Sequence, residues 1–255
     1  MTGEAAPARG APPLLHDPAP GFTARTTMGE RTLSGYRGRW LLLFSHPADF
    51  TPVCTSEFVS FAKAAGRFGA LGCELLALSV DSLFSHFAWI RSIHEQFEVK
   101  VPFPVIEDPS MAIARAYGMI APNAPDASMV RAVFMIDPDG IVRAISWYPM
   151  TTGRSVEEML RVLEALQATD AHGVSTPEGW RPGDDVILAA PLTADEAFGR
   201  HEKGTDWYYR TGSIMNTART IASNPKPLEC GPIRLLLQRN GPSTYGDRDG
   251  VGTRR

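Results

Sequence analysis

Cysteine is scarce in this chain: three occur in 255 residues, at positions 54, 73 and 230, with no regular spacing. That excludes a disulfide scaffold, and no Cys-x-x-Cys pair exists, because Glu57 stands three places after Cys54. Long apolar runs are also missing. No stretch approaches the roughly 18 residues needed to span a bilayer, and the Ala- and Pro-rich start, Met1 to Pro20, lacks the continuous apolar core of a secretion signal. An excess of charge of one sign is absent as well: 25 Lys and Arg against 28 Asp and Glu leave a formal charge of -3, and the basic tail of Arg248, Arg254 and Arg255 is too sparse to hold a nucleic acid. The expectation is a cytoplasmic protein with no membrane or nucleic-acid partner, whose thiols stay reduced until chemistry oxidises them.

What is present is an ordinary globular composition, 44% apolar and 21% charged, long enough for one large domain or two unequal ones. After an extended arm over residues 1–20, Thr23 to Thr32 reads as a hairpin around Met28-Gly29-Glu30. Trp40 to Ser45 is unbroken apolar sequence, as in a strand covered on both faces. Thr51 fits an N-cap and Pro52 the first helical position, which places Cys54 at the third, in a helix through Phe58, Phe61 and Ala64 to Gly66. Cys73 to Val80 is a second core strand, followed by a helix from Asp81-Ser82. Phe103 to Ile106 suggests a short strand interrupted by Pro104. Asp108 and Pro109 then open a helix over Met111 to Tyr117. Val130 to Ile136 and Ile141 to Trp147 form a hairpin about Asp137-Pro138-Asp139-Gly140. Ser155 to Gln167 is a periodic helix. This alternation predicts an α/β sheet with helices on both sides. Beyond residue 170, Gly and Pro break any long element except a short helix at Ala194 to Arg200.

Cys54 carries the chemistry. The free N–H groups of a first helical turn favour a thiolate, the nucleophilic form of cysteine. A buried core cysteine is the competing reading, but Pro47, Pro52 and the polar residues between them mark a helix entrance. Thr51 either presents its hydroxyl to sulfur and substrate or only caps the helix. Pro47 either shields the site or only shapes the turn. Arg131, at the start of a core strand, is an odd place for a solvated charge; it either stabilises an anion or edges the strand. Glu57 lies on the Cys54 face of the helix and either orients an arginine or is solvated. His46 either hydrogen bonds near the sulfur or packs at the strand end, and with Cys54 it makes an incomplete zinc set. Cys73 reads as inert core; Cys230 is either an exposed thiol or a resolving partner. No cofactor or metal is expected.

The run Pro47-Ala48-Asp49-Phe50-Thr51-Pro52-Val53-Cys54 resembles the Pro-x-x-x-(Thr/Ser)-x-x-Cys signature of peroxiredoxins. The longer string from Ser45 to Glu57 resembles their one-cysteine and archaeal-type thioredoxin peroxidase subgroup. Leu78 to Asp81, Pro102 to Pro104, Arg131 to Pro138, Tyr148 to Arg154 and Trp180 to Asp185 extend the resemblance over about residues 15 to 209. It implies a thioredoxin-like fold over residues 1–170 and a small C-terminal dimerisation extension over 171–255. It also implies that Cys54 attacks hydrogen peroxide or an alkyl hydroperoxide to give a sulfenic acid, with Pro47, Thr51 and Arg131 as partners. Arg154 then matches a second arginine, and His46 and Glu57 match supporting positions. Homodimers, in several members rings of five dimers, and an external thiol such as thioredoxin or glutathione are implied too. Two departures matter: Gly35 to Trp40 has no serine between its glycines where some members carry a lipase element, so phospholipase activity is not implied, and Arg210 follows Trp207-Tyr208-Tyr209 where the archaeal branch has a cysteine. Resolution by a second thiol would therefore fall to Cys230. The alternative function is a peroxide-responsive sensor or chaperone that turns over slowly.

Overall fold

The computed structural model describes residues 11–120, 129–198 and 206–214. The apolar run near residue 40 becomes β3 (Trp40–Ser45), buried at every position. It can be so because it lies inside the sheet, parallel to β4 (Cys73–Ser79) and antiparallel to β6 (Arg131–Ile136). The hairpin of β1 (Thr23–Thr26) and β2 (Gly29–Thr32) joins β5 (Val105–Glu107) at one side, and β7 (Val142–Tyr148) closes the other. The result is a mixed seven-stranded sheet in the order β2-β1-β5-β4-β3-β6-β7.

Side chains alternate along each strand, so the sheet separates two cores. Leu42, Phe44, Leu75, Ala77, Val133 and Met135 pack with α1 (Pro52–Ala70), α2 (Leu83–Phe97) and α4 (Val156–His172). Leu41, Leu43, Leu76, Leu78 and Phe134 face the other way, toward α3 (Ala112–Ala116) and Tyr117. Helix α1 buries Phe58, Phe61, Ala64 and Phe68 at intervals of three and four, one helical stripe. That stripe carries the helix four residues past Gly66, where the sequence pattern had suggested its end.

Three further local expectations are corrected. Asp108 does not sit next to its helix: α3 starts at Ala112 after Met111, whose φ of 59° is left-handed, and the Asp108 carboxylate reaches over the intervening turn to accept from the N–H groups of Ala112 (3.0 Å) and Ala114 (2.7 Å). Strand β5 begins after Pro104, which lacks the N–H a ladder needs. Near the C-terminal end of the described chain, β8 (Val186–Ile187) pairs with β9 (Thr211–Gly212), past the aromatic run where no regular element was expected, and a short α5 (Ala194–Ala197) lies between them. Trp180, Val174 and Val186 form a small separate core against Ala165 of α4.

Leu76, fully buried in β4, tests the sheet as a load shared by both faces. Leu76→Ala should lower unfolding stability by about 2–5 kcal/mol in urea titrations, the range for a cavity in an unyielding core. A loss under about 1 kcal/mol would show that the second core collapses around the gap.

Candidate active site

After Ser45 the chain leaves the sheet through residues 46–50 and turns into α1. Phe50 makes that turn with a left-handed φ of 56°, a conformation that disfavours phenylalanine and persists only where neighbours hold it. Thr51 follows at the N-cap with extended backbone, and Pro52, which has no N–H to satisfy, opens the helix. The Thr51 hydroxyl does not cap the helix, contrary to one sequence expectation. It donates instead to the Ala48 carbonyl oxygen at 2.9 Å, so its own oxygen lone pairs stay available. Pro47 is buried beside this turn. Cys54, at the third helical position, has no exposed surface.

Two arginines and one glutamate from three parts of the chain form a buried cluster that meets that sulfur through Arg131. Arg131, the first residue of β6, donates through Nη1 to Cys54 Sγ at 3.3 Å and to Glu57 Oε2 at 2.8 Å. Its Nε and Nη2 both donate to the Met150 carbonyl oxygen, at 3.0 and 2.7 Å. Arg154, in the segment between β7 and α4, grips the same carboxylate from the far side: its backbone N–H and Nε donate to Oε1 at 2.8 and 2.9 Å, and Nη2 to Oε2 at 2.7 Å. Its Nη1 donates to the Ala132 carbonyl oxygen at 2.8 Å, while the guanidinium lies over the Phe44 ring, 5.4 Å from its centroid. Burial pushes the Glu57 carboxyl up, but hydrogen bonds and charge from Arg154, joined by the charge of Arg131, outweigh it and hold the carboxyl below its usual range.

The charges in this cluster do not balance without the sulfur. Arg131, Arg154 and Glu57 are all buried, 2%, 6% and 2% exposed, and together carry one net positive charge. An uncompensated charge away from water is strongly unfavourable. A thiolate at Cys54, already within reach of Arg131, brings the sum to zero. Glu57 is thus the residue that orients both arginines, and Arg131 is a buried anion-facing cation instead of a strand-edge charge.

His46 packs at the end of β3, as one of its two sequence readings had it, and hydrogen bonds to a carboxylate and not to the sulfur. Its Nε2 is 2.8 Å from Asp49 Oδ1, its ring packs against Phe58 and Trp89, and its Nδ1 has no partner among the described residues. Asp49 Oδ2 in turn meets His86 Nδ1 of α2 at 2.8 Å. The donor atoms of this trio lie within 4.8 Å of one another, near enough to share a cation, although hydrogen bonds account for both short contacts. Asp49 and His86 were missed in the sequence. Asp49 lies inside the signature run, and the helical spacing of His86 and Trp89 on one buried face of α2 was the available signal for the other.

Beside the helix start an open depression of about 520 Å³ is lined by Phe50, Thr51, Pro52, Thr55, Ser56, Val59 and Phe97. A hollow of about 580 Å³ between α4 and residues 176–181 shares no lining residue with it or with the arginine cluster. Cys73 is a buried thiol pushed up to about 12 by desolvation, which a hydrogen bond from the Leu42 backbone only partly opposes, and is unreactive for that reason. Cys230 lies outside the described residues.

The chain is similar in sequence and fold to known proteins. Residues 15–145 match the AhpC/TSA family, and residues 165–204 match the C-terminal domain of 1-Cys peroxiredoxin. A peroxiredoxin of Methanosarcina mazei is 46% identical over 209 residues, covering 77% of this chain and 95% of that protein. One of Thermoplasma volcanium is 48% identical over 199 residues, covering 78% and 97%. Among solved structures, a yeast mitochondrial 1-Cys peroxiredoxin, studied for thiol resolution via glutathione/thioredoxin systems, superposes with a TM-score of 0.70 at 42% identity, over 78% of this chain and 98% of that one. The C45S mutant of peroxiredoxin 6 of Arenicola marina gives 0.68 at 33% identity, over 78% and 97%.

Because the folded Glu57 carboxyl titrates below its unfolded value of about 4.3, its stabilisation is fully present above that value and is lost as pH falls through the lower folded one. Glu57→Gln should therefore lower stability at pH 7 by about 3–5 kcal/mol, leaving two buried cations facing a neutral amide. The gap to wild type should narrow as urea titrations are repeated at decreasing pH below about 4. A gap that does not change with pH would mean that the carboxylate charge is not what holds the arginines.

Proposed function

The chain belongs to the peroxiredoxin family and is a thiol-dependent peroxidase; from that premise we propose that Cys54 is the sulfur that attacks the peroxide, assisted by Thr51, Pro47 and Arg131. The observation that carries this reading is the charge imbalance of the buried arginine cluster, which is neutral only with a thiolate at Cys54.

The thiolate attacks the terminal oxygen of hydrogen peroxide or an alkyl hydroperoxide. A sulfur–oxygen bond forms as the oxygen–oxygen bond breaks, two electrons pass from sulfur to the departing oxygen, and that oxygen takes up a proton and leaves as water or alcohol. Arg131 is already hydrogen bonded to the sulfur, so its fixed charge meets the charge that spreads over the reacting atoms without having to move. The Thr51 oxygen can accept the peroxide O–H because its own hydrogen is committed to Ala48. Pro47 keeps water from the sulfur and presents no competing N–H. Glu57 and Arg154 are positioning residues, acting through Arg131. His46 supports the same turn through Asp49.

Cys54 sulfenic acid is then attacked by an external thiol, releasing water and forming a mixed disulfide that a second thiol reduces. Thioredoxin or glutathione fits this role, as in the systems named for the yeast relative. Residues 1–170 act as the peroxidase domain and 171–255 as an extension that pairs subunits into homodimers, with a ring of five dimers as the alternative assembly, in the cytoplasm. No helix among the described residues is long and apolar enough to cross a membrane. A slow peroxide sensor or chaperone is the second reading. It is favoured by the complete burial of Cys54, which a reductant must overcome.

Stopped-flow measurement of peroxide consumption tests the assignment. Cys54→Ser should abolish the reaction, and Arg131→Met should slow it by about 100- to 1,000-fold, as for loss of one preorganised donor. Equal rates in wild type and Cys54→Ser would overturn it. Cys230→Ser should leave the first step intact; loss of recycling alone would make Cys230 the resolving thiol. Rapid oxidation with slow recycling by every thiol offered would select the sensor.

A further inference from the structure

The mechanism above makes no use of the hydrogens in the buried trio of His46, Asp49 and His86, whose side chains are 0%, 1% and 0% exposed. Those hydrogens can be assigned from the contacts. His86 Nε2 faces the Ile106 carbonyl oxygen at 3.1 Å, and a carbonyl only accepts, so Nε2 carries a hydrogen. His86 Nδ1 faces Asp49 Oδ2 at 2.8 Å, and two lone pairs cannot meet at that distance in a dry interior, so a second hydrogen lies between them. His46 Nε2 supplies the third, toward Asp49 Oδ1, which leaves its Nδ1 bare, in keeping with the lack of a partner there. Two neutral rings bring only one hydrogen each. The trio therefore holds one proton more than two neutral histidines and a carboxylate would, and its net charge is zero.

Surrounding groups agree with that count. Burial favours the neutral form of His46 despite the opposing pull of Asp49. Burial pushes Asp49 up, but the two histidines outweigh it and hold the carboxyl well below its usual range, so Asp49 stands between the two rings as a carboxylate. Among the described residues the other charged group against the trio is Asp81, whose carboxylate accepts from the Asp49 backbone N–H at 3.0 Å and from the Ser79 hydroxyl at 2.8 Å. Phe58 and Trp89 close the remaining sides with apolar surface.

We propose that Asp49 and His86 are positioning residues for the Cys54 centre, and that a proton retained between them latches the loop of residues 46–51 to α2 and β5. The proposal rests on the peroxidase reading of Cys54. The latch works through the backbone. Asp49 immediately precedes Phe50, whose left-handed conformation would relax if its neighbour were released. Thr51 follows Phe50, and its hydroxyl is tied to Ala48 inside the same segment. Releasing Asp49 from His86 thus displaces the group that receives the peroxide and the first turn that carries the sulfur.

Asparagine at position 49 separates the proton from the latch. Its amide can donate to His86 Nδ1 with its own hydrogen and accept from His46 Nε2, keeping every contact with both rings neutral. Nitrogen-15 NMR of the histidine rings in the full-length reduced protein at neutral pH should show His86 protonated on both nitrogens and His46 on Nε2 alone. In Asp49→Asn, His86 should lose the Nδ1 hydrogen. Stopped-flow oxidation of Cys54 by hydrogen peroxide should fall at least tenfold in Asp49→Ala, and Asp49→Asn should recover most of that loss. Should Asp49→Ala fail to fold, His86→Phe serves in its place with the same expected loss. A wild-type His86 with one bare nitrogen overturns the retained proton. A wild-type oxidation rate in Asp49→Ala or in His86→Phe overturns the positioning role. A wild type with the expected ring signals but no reaction with peroxide overturns the peroxidase reading, and the positioning role with it, while supporting the proton assignment.

Discussion

Two guanidinium groups and one carboxylate, all withdrawn from water, set the terms for the rest of this molecule. Arg131 and Arg154 share Glu57 through four hydrogen bonds, yet their charges exceed its own by one. In a solvated cluster such an excess would matter little; in a dry one it must be answered locally. Besides the Met150 carbonyl, which is uncharged, Arg131 meets the Cys54 sulfur, and an anion there would bring the sum to zero. The helix start adds free N–H groups, a second source of positive partial charge at that end of α1.

Holding that arrangement requires three separate parts of the chain to arrive together, and the sheet supplies the frame. Ser45, at the end of β3, accepts the Ala132 N–H at 3.0 Å and donates to the Val130 carbonyl at 2.7 Å, which fixes both neighbours of Arg131. Arg154 is tied to the Ala132 carbonyl, so both arginines are referenced to one strand. Glu57 and Cys54 share one face of α1, and the aromatic layer of Phe44, Phe58 and Phe61 sets the depth of that helix on the sheet. The mixed topology is thus what brings positions 54, 131 and 154 into one small volume.

Much of this could be read from the residues. Pro52 and Thr51 marked the helix start that places Cys54, and the uninterrupted run from Trp40 marked the strand before it. Arg131 stood out because a cation at the head of an apolar strand needs a buried partner. Local reasoning failed where partners are distant in sequence. Glu57 looked as well suited to solvent as to an arginine until Arg154, 97 residues away, supplied its second cation. Asp49 and His86, 37 apart, carry no joint signal in a single chain. Thr51 does hold the N-cap position the sequence marked, but its hydroxyl, left open between capping and facing the sulfur, is taken by the Ala48 carbonyl. Asp108 was placed one turn too close to α3 because nothing in Pro109-Ser110-Met111 announces a left-handed residue.

Arg131 fastens its far end to Met150 by a main-chain oxygen alone, while the Met150 side chain points outward and is 48% exposed. A backbone acceptor is common to all amino acids, so this anchor is indifferent to the residue type that provides it. Position 150 can therefore drift in evolution, or be altered at the bench, without loosening the arginine. Position 154 has no such latitude, since its peptide nitrogen and its side chain are both engaged by the same carboxylate.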